Sequence, residues 1–265
     1  MTTDPASPAS SAAFDVRPLP AFRDNYIWLL SRDGCAAVVD PGDAAPVEAA
    51  LAEAGLCLVA ILVTHHHADH QGGVERLVAA HGATVFGPAA ESITGLSRPL
   101  RGGERIEVDG LGAAFDVLSV PGHTRGHLAY LAGRRLFCGD TLFGAGCGRL
   151  FEGTPAQMAA SLGVLAGLPD DTEVYCAHEY TEMNLRFAAA VEPHNPAVRQ
   201  RIADAAAIRA RGEPTLPSTI GLEKATNPFL RCAEPAVIAA ARQRDPSAAG
   251  AVGVFAAIRG WRNEF

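Results

Sequence analysis

The sequence predicts an α+β protein with two domains, and three observations support this fold class. Up to His178, short apolar runs rich in β-branched residues alternate with segments of helical spacing, as in a mixed sheet with helices. After Asn184 the chain becomes Ala-rich and carries helix start and stop signals. The first 13 residues are rich in Ala, Ser and Pro, which is typical of disorder. We therefore predict a disordered tail at 1–13, a mixed domain at 14–182 and a helical domain at 183–265.

The mixed domain is predicted to begin with three strands and a helix. Asp33-Gly34 is a strong hairpin signal, and Gly55 is typical of a helix end. The predicted elements are strands at 14–19, 26–31 and 35–39 and a helix at 46–54. Asp40 follows the third strand, where it either forms a turn or supports a metal-bound His.

The most informative stretch is Thr-His-His-His-Ala-Asp-His at 64–70, which directly follows an apolar run that predicts a buried strand. His65 and His67 are two residues apart, so they point the same way in extended backbone. Asp69 and His70 can face a second point. One loop thus offers imidazoles and a carboxylate to two adjacent metal sites, and these ligand types suit Zn, Fe or Mn.

Three later apolar runs also end at a residue that can bind a metal. These residues are His123, after a Pro-Gly turn, Asp140 and His178. Because a carboxylate has two oxygens, Asp140 could bridge two ions. His127 opens the next predicted strand, and we expect it to have a structural or indirect role and not to bind the metal.

The C-terminal domain is predicted to be helical. Asn195 and Pro196 form a helix start, and the helix at 196–211 should turn Val198, Ile202 and Ile208 inward before Gly212 ends it. An extended Pro-containing linker follows at 213–220. Two further helices are predicted at 235–243 and 252–261.

Composition limits the function classes. The net charge of −7 argues against a nucleic-acid partner. No apolar stretch reaches membrane-spanning length, and the N-terminus lacks the features of a secretory signal. The six Cys form no C-x-x-C pair and are predicted to be mostly buried free thiols. We therefore expect a cytoplasmic protein.

The pattern His65-x-His67-x-Asp69-His70 resembles the signature of the metallo-β-lactamase superfamily, and other motifs resemble those of its glyoxalase II family, the hydroxyacylglutathione hydrolases. The likeness runs from about Phe14 to Phe265, and its motifs are Ala-Phe-x-Asp-Asn-Tyr at 21–26, Gly-Cys-Gly-Arg-Leu-Phe-Glu-Gly-Thr at 146–154, Ala-His-Glu-Tyr-Thr at 177–181, Asn-Leu-Arg-Phe-Ala at 184–188, Asn-Pro-Phe-Leu-Arg at 227–231 and the terminal 258–265. The resemblance implies an αββα sandwich followed by a small helical domain that supplies substrate contacts.

The resemblance also implies two divalent metal ions per chain, with Zn expected first and Fe or Mn as alternatives. The first site would take His65, His67, His123 and Asp140, and the second would take Asp69, His70, His178 and Asp140. A hydroxide bridging the ions would attack S-(2-hydroxyacyl)glutathione, giving a 2-hydroxy acid such as D-lactate and glutathione in methylglyoxal detoxification. Asp69 and Asp140 would hold the metals and orient the hydroxide.

Five residues match the family's substrate-binding positions. Arg149, Arg259 and Arg262 match basic positions that contact the glycine carboxylate of glutathione, and Tyr180 matches a tyrosine that hydrogen-bonds its backbone. Phe151 stands where some members have Tyr, so a hydroxyl contact is missing there. The chain is expected to be a monomer. The alternative functions are those of another binuclear thioesterase of this fold or a persulfide dioxygenase, which uses one iron and lacks the full ligand set.

Overall fold

The structure, a computed structural model, describes residues 14–265, so the tail predicted at 1–13 lies outside the described residues. Its strands are β1 (Asp15–Ala21), β2 (Asn25–Arg32), β3 (Cys35–Val39), β4 (Cys57–Leu62), β5 (Thr84–Pro88), β6 (Arg98–Leu100), β7 (Arg105–Val108), β8 (Ala113–Ser119), β9 (Leu128–Ala132), β10 (Arg135–Gly139), β11 (Leu142–Phe143), β12 (Gly146–Cys147), β13 (Glu173–Cys176) and β14 (Ser218–Thr219). Its α-helices are α1 (Ala44–Ala54), α2 (Ala68–Gln71), α3 (Val74–His81), α4 (Pro155–Ala166), α5 (Thr181–Val191), α6 (Pro196–Ala210), α7 (Ile220–Thr226), α8 (Pro235–Arg244) and α9 (Gly250–Glu264), and a 3-10 turn spans Pro228–Leu230.

Two six-stranded sheets form the centre of the fold. The first has the order β1-β2-β3-β4-β5-β6, and the second has the order β14-β13-β10-β9-β8-β7. Strands β3 to β6 run parallel, as do β10 and β13, whereas β7 to β10 form an antiparallel meander. The predicted α+β fold class is confirmed.

Strand β4 shows why the sequence folds into layers. All six of its residues are apolar, the pattern of a parallel strand covered on both faces. Ile61 packs with α1 and α3 on the outer face of the first sheet, while Leu62 packs between the two sheets. The Tyr130 hydroxyl of β9 donates across the sandwich to the Val63 carbonyl, at 2.7 Å. This bond ties the second sheet to the residue just before the His-rich loop.

The strands deliver the polar residues to one edge of the sandwich. Five of the strands end one to four residues before a His or Asp that the sequence analysis singled out. The strands and their residues are β3 with Asp40, β4 with His65, β8 with His123, β10 with Asp140 and β13 with His178. Because adjacent strands end together, residues far apart in sequence meet at one place.

The elements predicted from a clear pattern are present, but helices α4 and α5 and several short elements were not predicted. The strand at 35–39 has the predicted bounds, and the Asn195 side chain caps α6 as predicted, accepting from Ala197 N at 2.9 Å. Helix α2 lies inside the stretch predicted as a loop. Strand β6 and helix α7 were not predicted, since each is short and lacks a clear period.

One helix face was predicted wrongly. On α6, Val198 is buried as expected, but Ile202 is 37% exposed, and Arg201 is buried at 5% exposure. The reason is an ion pair: Arg201 Nη2 lies 2.6 Å from Oε1 of Glu223, which is fully buried. Because this ion pair keeps the Arg201 side chain inside, helix α6 is rotated so that the next residue, Ile202, faces outward.

All six Cys are free thiols within the described residues, and four are buried, whereas Cys57 is exposed and Cys35 is half-buried. No helix among residues 14–265 combines the length and apolarity needed to cross a membrane.

Candidate metal centre and active site

Three imidazoles converge at the edge of the sandwich and form a first cluster. His67 Nδ1 lies 3.0 Å from His65 Nε2 and 3.1 Å from His123 Nε2. His65 and His67 come from the loop after β4, and His123 comes from the loop after β8. Asp140 Oδ2 approaches His123 Nε2 at 3.4 Å. The first predicted set of four donors therefore meets in one place.

A second cluster lies beside the first. Asp69 Oδ2 is 3.5 Å from both His70 Nε2 and His178 Nε2. Asp140 Oδ1 is 3.5 Å from His70 Nε2 and 3.3 Å from His178 Nε2. Asp140 thus turns one oxygen towards each cluster. Helix α2 separates the two directions, because it places Asp69 and His70 on a helical turn directly after His67, whose backbone is extended.

The spacing and the unpaired atoms fit two metal ions. Ligands 2.0–2.1 Å from a tetrahedral ion stand about 3.3 Å apart, and the separations here are 3.0 to 3.5 Å. Among residues 14–265, the buried atoms His70 Nε2 and Asp140 Oδ1 have no hydrogen-bond partner. Buried polar atoms without a partner are costly unless they bind something. The donor set fits a binuclear metal site.

Four of the five histidines are held from behind, which turns Nε2 towards the clusters. His178 Nδ1 lies 3.0 Å from Asp24 Oδ1, and His123 Nδ1 lies 2.7 Å from the Arg149 carbonyl. The other two contacts are His65 Nδ1 to Thr64 Oγ1 at 3.0 Å and His70 Nδ1 to Asp40 Oδ2 at 3.0 Å.

Two roles were considered for Asp40 from the sequence, a turn former and a support for a metal-bound His, and the structure shows contacts that fit both. Its carboxylate accepts from Thr64 N at 2.7 Å and from Thr64 Oγ1 at 2.8 Å, and it faces His70. Its φ is +53°, which is uncommon for a residue other than Gly. Asp40 therefore both turns the chain and orients the His-rich loop.

The charges of the cluster suit metal binding. Burial alone would raise the pKa of Asp140, but the charges of His178 and His70 hold that pKa well below its usual range. Burial alone would also raise the pKa of Asp69, but His70, 3.5 Å away, lowers it. Burial lowers the pKa of His65, and the neighbouring charge of His70 adds to this. The carboxylates are thus ionised and His65 is neutral at pH 7, the forms that bind metal. Burial alone would lower the pKa of His70 and of His178, but the charge of Asp140 raises both, so a metal bound there must displace protons.

His127 lies behind the clusters. It is buried, its ring stacks on that of His65 with centroids 4.7 Å apart, and its Nε2 accepts from Asp140 N at 3.2 Å. With Nε2 committed to a backbone amide, His127 can support Asp140 and His65. Its exclusion from the ligands stays a prediction.

Comparison with known proteins decides the family. The family described as Metallo-beta-lactamase superfamily matches residues 21–178, and the one described as Hydroxyacylglutathione hydrolase C-terminus matches residues 179–265. The hydroxyacylglutathione hydrolase of Dechloromonas aromatica (strain RCB) is 60% identical over 261 residues, covering 93% of this chain and 98% of that protein. The chain belongs to the hydroxyacylglutathione hydrolase family. The family predicted from the motifs is confirmed.

Solved structures show the same fold. ETHE1 from Myxococcus xanthus is 26% identical with a TM-score of 0.64, covering 95% of this chain and 98% of that chain. TTHA1623 in a di-iron-bound form is 28% identical with a TM-score of 0.59, covering 81% of this chain and 100% of that chain.

Three of the residues expected to bind substrate in a hydroxyacylglutathione hydrolase lie around the clusters. Phe151 is 59% exposed, and its ring meets those of His67 and His123 edge-on, with centroids 5.4 and 5.3 Å apart. Arg149 is exposed and its guanidinium lies 5.5 Å from the Phe151 ring. Tyr180 stacks on His178, with centroids 4.7 Å apart. These three residues thus frame the mouth of the two clusters.

Of the other two arginines, Arg259 contacts the segment that follows Asp140, and Arg262 contacts α5. Arg259 is buried and donates to the Cys147 carbonyl at 3.0 Å, while Arg262 is half-buried and donates to Asn184 Oδ1 at 3.3 Å. At Gly148 this segment passes against the backbone of Asp140. A Cβ at position 148 would lie 1.9 Å from the Asp140 carbonyl oxygen, so the close approach requires Gly. Arg259 therefore has a structural contact in addition to its predicted substrate contact.

Sequence reasoning gave no role to three polar residues that support the clusters. Asp24 faces His178, Asn25 Nδ2 donates to Asp69 Oδ2 at 3.0 Å, and Glu91 contacts His66. Asp24 and Asn25 stand in a recognised motif, which was the available signal for them. Glu91 lies in an irregular turn and carries no such signal.

Proposed function

We propose that this chain hydrolyses S-(2-hydroxyacyl)glutathione thioesters such as S-D-lactoylglutathione, giving a 2-hydroxy acid and glutathione. The observation that carries the proposal is Asp140, which turns one oxygen towards each of two donor clusters at the open edge of the sandwich. The names of the relatives, hydroxyacylglutathione hydrolases at 50–60% identity, support the substrate class.

The ligands we propose are the seven residues predicted from the sequence, in two sets that share Asp140. They are His65, His67, His123 and Asp140 for one ion and Asp69, His70, His178 and Asp140 for the other. Zinc is the metal we propose, because imidazole and carboxylate donors at tetrahedral spacing suit it, and iron or manganese would fit the same donors. Divalent ions bound there would supply an ionised water as nucleophile and Lewis-acid polarisation of the thioester carbonyl.

The chain's own residues would orient the reaction. The ionised Asp69 stands beside His70 and His178 and can accept a hydrogen bond from the attacking hydroxide and so orient it, with Asn25 holding the carboxylate in place. Burial and the charge of Asp24 raise the pKa of Tyr180, so its hydroxyl keeps its proton and can donate to the substrate's peptide backbone. The leaving thiol has a pKa of about 8.5 and departs as thiolate, so a strong general acid is not required.

The test of the function is a direct assay. Purified protein loaded with Zn²⁺ is incubated with S-D-lactoylglutathione, and thioester loss, free thiol and dissolved oxygen are followed together. We expect one thiol per thioester lost and no oxygen uptake. A second sample loaded with Fe²⁺ is given glutathione persulfide, and oxygen uptake there, together with no thioester loss in either sample, would favour the dioxygenase alternative and contradict the proposal.

Arg262→Ala should raise KM for the glutathione thioester by about tenfold, because a charge-assisted hydrogen bond to a substrate carboxylate is worth roughly 1.5–3 kcal/mol. The contact exists in ground and transition states alike, so kcat should change little. Arg262 is preferred to Arg259 for this test because the latter also holds the Cys147 carbonyl.

Two controls separate substrate binding from structure. Arg244→Ala removes a nearby arginine that stacks 4.2 Å from the Trp261 ring, and it should leave KM unchanged. A small thioester without the glutathione moiety should be hydrolysed equally by the wild type and Arg262→Ala. Equal loss of kcat with both substrates would contradict a glutathione contact.

A further inference from the structure

Glu91 is a buried carboxylate outside the proposed ligand set. It lies in the turn after β5, and its side chain is only 4% exposed. Oε2 accepts from His66 N at 2.7 Å and lies 2.9 Å from His66 Nδ1. Oε1 accepts from Thr124 Oγ1 at 2.5 Å and from Gly126 N at 2.8 Å. Each oxygen thus serves a different loop.

The two loops are those that carry the three-histidine cluster. His66 lies between His65 and His67, and Thr124 directly follows His123. His67 and His123 are 56 residues apart in sequence, so their spacing depends on what joins the loops. A backbone bond from Leu128 N to the Thr64 carbonyl, at 2.9 Å, joins the two segments directly, and Glu91 joins them a second time from a third segment, next to His66 and Thr124.

A second contact from the same turn supports this role. The Gln71 side chain, at the end of α2, accepts from Thr94 N at 2.8 Å and donates to the Ser92 carbonyl at 3.1 Å. It also donates to the His66 carbonyl at 2.5 Å. The turn at 91–94 therefore holds the His-rich loop at two points, beside the clusters but outside them.

We propose that Glu91 is a positioning residue for the metal site formed by His65, His67 and His123, acting through the two loops that it joins. The inference rests on the proposed ligand set. Groups that orient metal ligands typically contribute 10- to 100-fold to metal affinity. Among residues 14–265, the hydrogen bonds of Glu91 go to His66, Thr124 and Gly126 and not to Asp69 or His178. Its loss should therefore weaken the binding of the ion held by His65, His67 and His123 and not that of the other ion.

Glu91→Gln is the sharpest test, because the amide keeps the shape but has one acceptor oxygen, so one loop must face an N–H₂ group. Metal-free protein is titrated with Zn²⁺ against a chelator of known affinity. We expect two Zn²⁺ equivalents in the wild type and, in the variant, about 10- to 100-fold weaker binding of one of them. It should be the equivalent lost in His67→Ala, while the one lost in His178→Ala keeps its affinity.

Glu192→Gln is the matched control, since Glu192 is also a buried carboxylate, but it pairs with Arg231 in the helical region. The Glu192→Gln variant should bind both Zn²⁺ equivalents with the affinity of the wild type. If Glu91→Gln does not fold, Thr124→Val, which removes one donor, should weaken the same equivalent. Normal zinc affinity in either folded variant would overturn the proposal. Equal weakening of both equivalents, with a lower Tm of the metal-free protein, would also overturn it by showing a general structural role. A wild type that binds fewer than two Zn²⁺ would overturn the ligand set itself.

Discussion

Asp140→Asn should bind fewer than two metal ions per chain and lose nearly all turnover. Asparagine keeps the shape but has one oxygen and no charge, whereas Asp140 places Oδ2 3.4 Å from His123 Nε2 and Oδ1 3.3 Å from His178 Nε2. Lewis-acid stabilisation is worth several kcal/mol, and about 1.4 kcal/mol is tenfold in rate. We therefore expect kcat to fall by about a thousandfold or more.

The measurements are elemental analysis of the purified protein and the thioester assay. Asp116→Asn is the control, since Asp116 is an exposed carboxylate on β8 that pairs with Arg105, and its metal content and rate should equal those of the wild type. Two ions per chain and a normal rate in Asp140→Asn would show that this carboxylate does not bridge.

The sequence was sufficient for the elements whose residues are uniformly apolar. The run before Thr64 predicted a buried strand, and β4 occupies it because both of its faces are covered. The polar residue after each strand could then be assigned to a common edge, since parallel strands end together. This is why His123, Asp140 and His178 could be predicted to lie near a loop more than 50 residues earlier.

The side chains that orient the histidines could not be predicted, because each partner lies far away in sequence. His178 is oriented by Asp24, 154 residues earlier, and His66 is held by Glu91, 25 residues later. A carboxylate in a turn looks the same in the sequence whether it is solvated or buried. The same reason explains the error on α6: Ile202 was expected inside, but the buried contact of Arg201 with Glu223 sets the helix rotation.

That buried pair also connects the helical region to the metal site. Glu223 accepts from Arg201 Nη2 at 2.6 Å, from Ser218 Oγ at 2.5 Å and from Ala145 N at 2.8 Å. Ala145 lies in the segment between Asp140 and Arg149, and its φ is +54°. Asn227, next to the 3-10 turn, donates to the Gly146 carbonyl at 2.9 Å. The conformation of this segment therefore depends on α6 and α7, so its stability should depend on the ion pair.

Arg201→Met should lower the free energy of unfolding by about 3–5 kcal/mol, because it leaves the carboxylate of Glu223 buried without its counter-charge. Methionine fills most of the volume, so the charge and not a cavity is tested. The measurement is urea unfolding of the metal-loaded protein, with the midpoint and slope fitted separately. Adding Glu223→Leu to Arg201→Met should recover part of the loss, since no charge then remains buried. Arg211→Met, at an exposed pair with Glu213, should leave the midpoint unchanged. Asn227 Nδ2 also donates to Glu223 Oε2, at 3.0 Å. An unchanged midpoint in Arg201→Met would mean that Ser218, Ala145 and Asn227 alone stabilise the Glu223 carboxylate, and that the ion pair does not hold α6 against the metal-site segment.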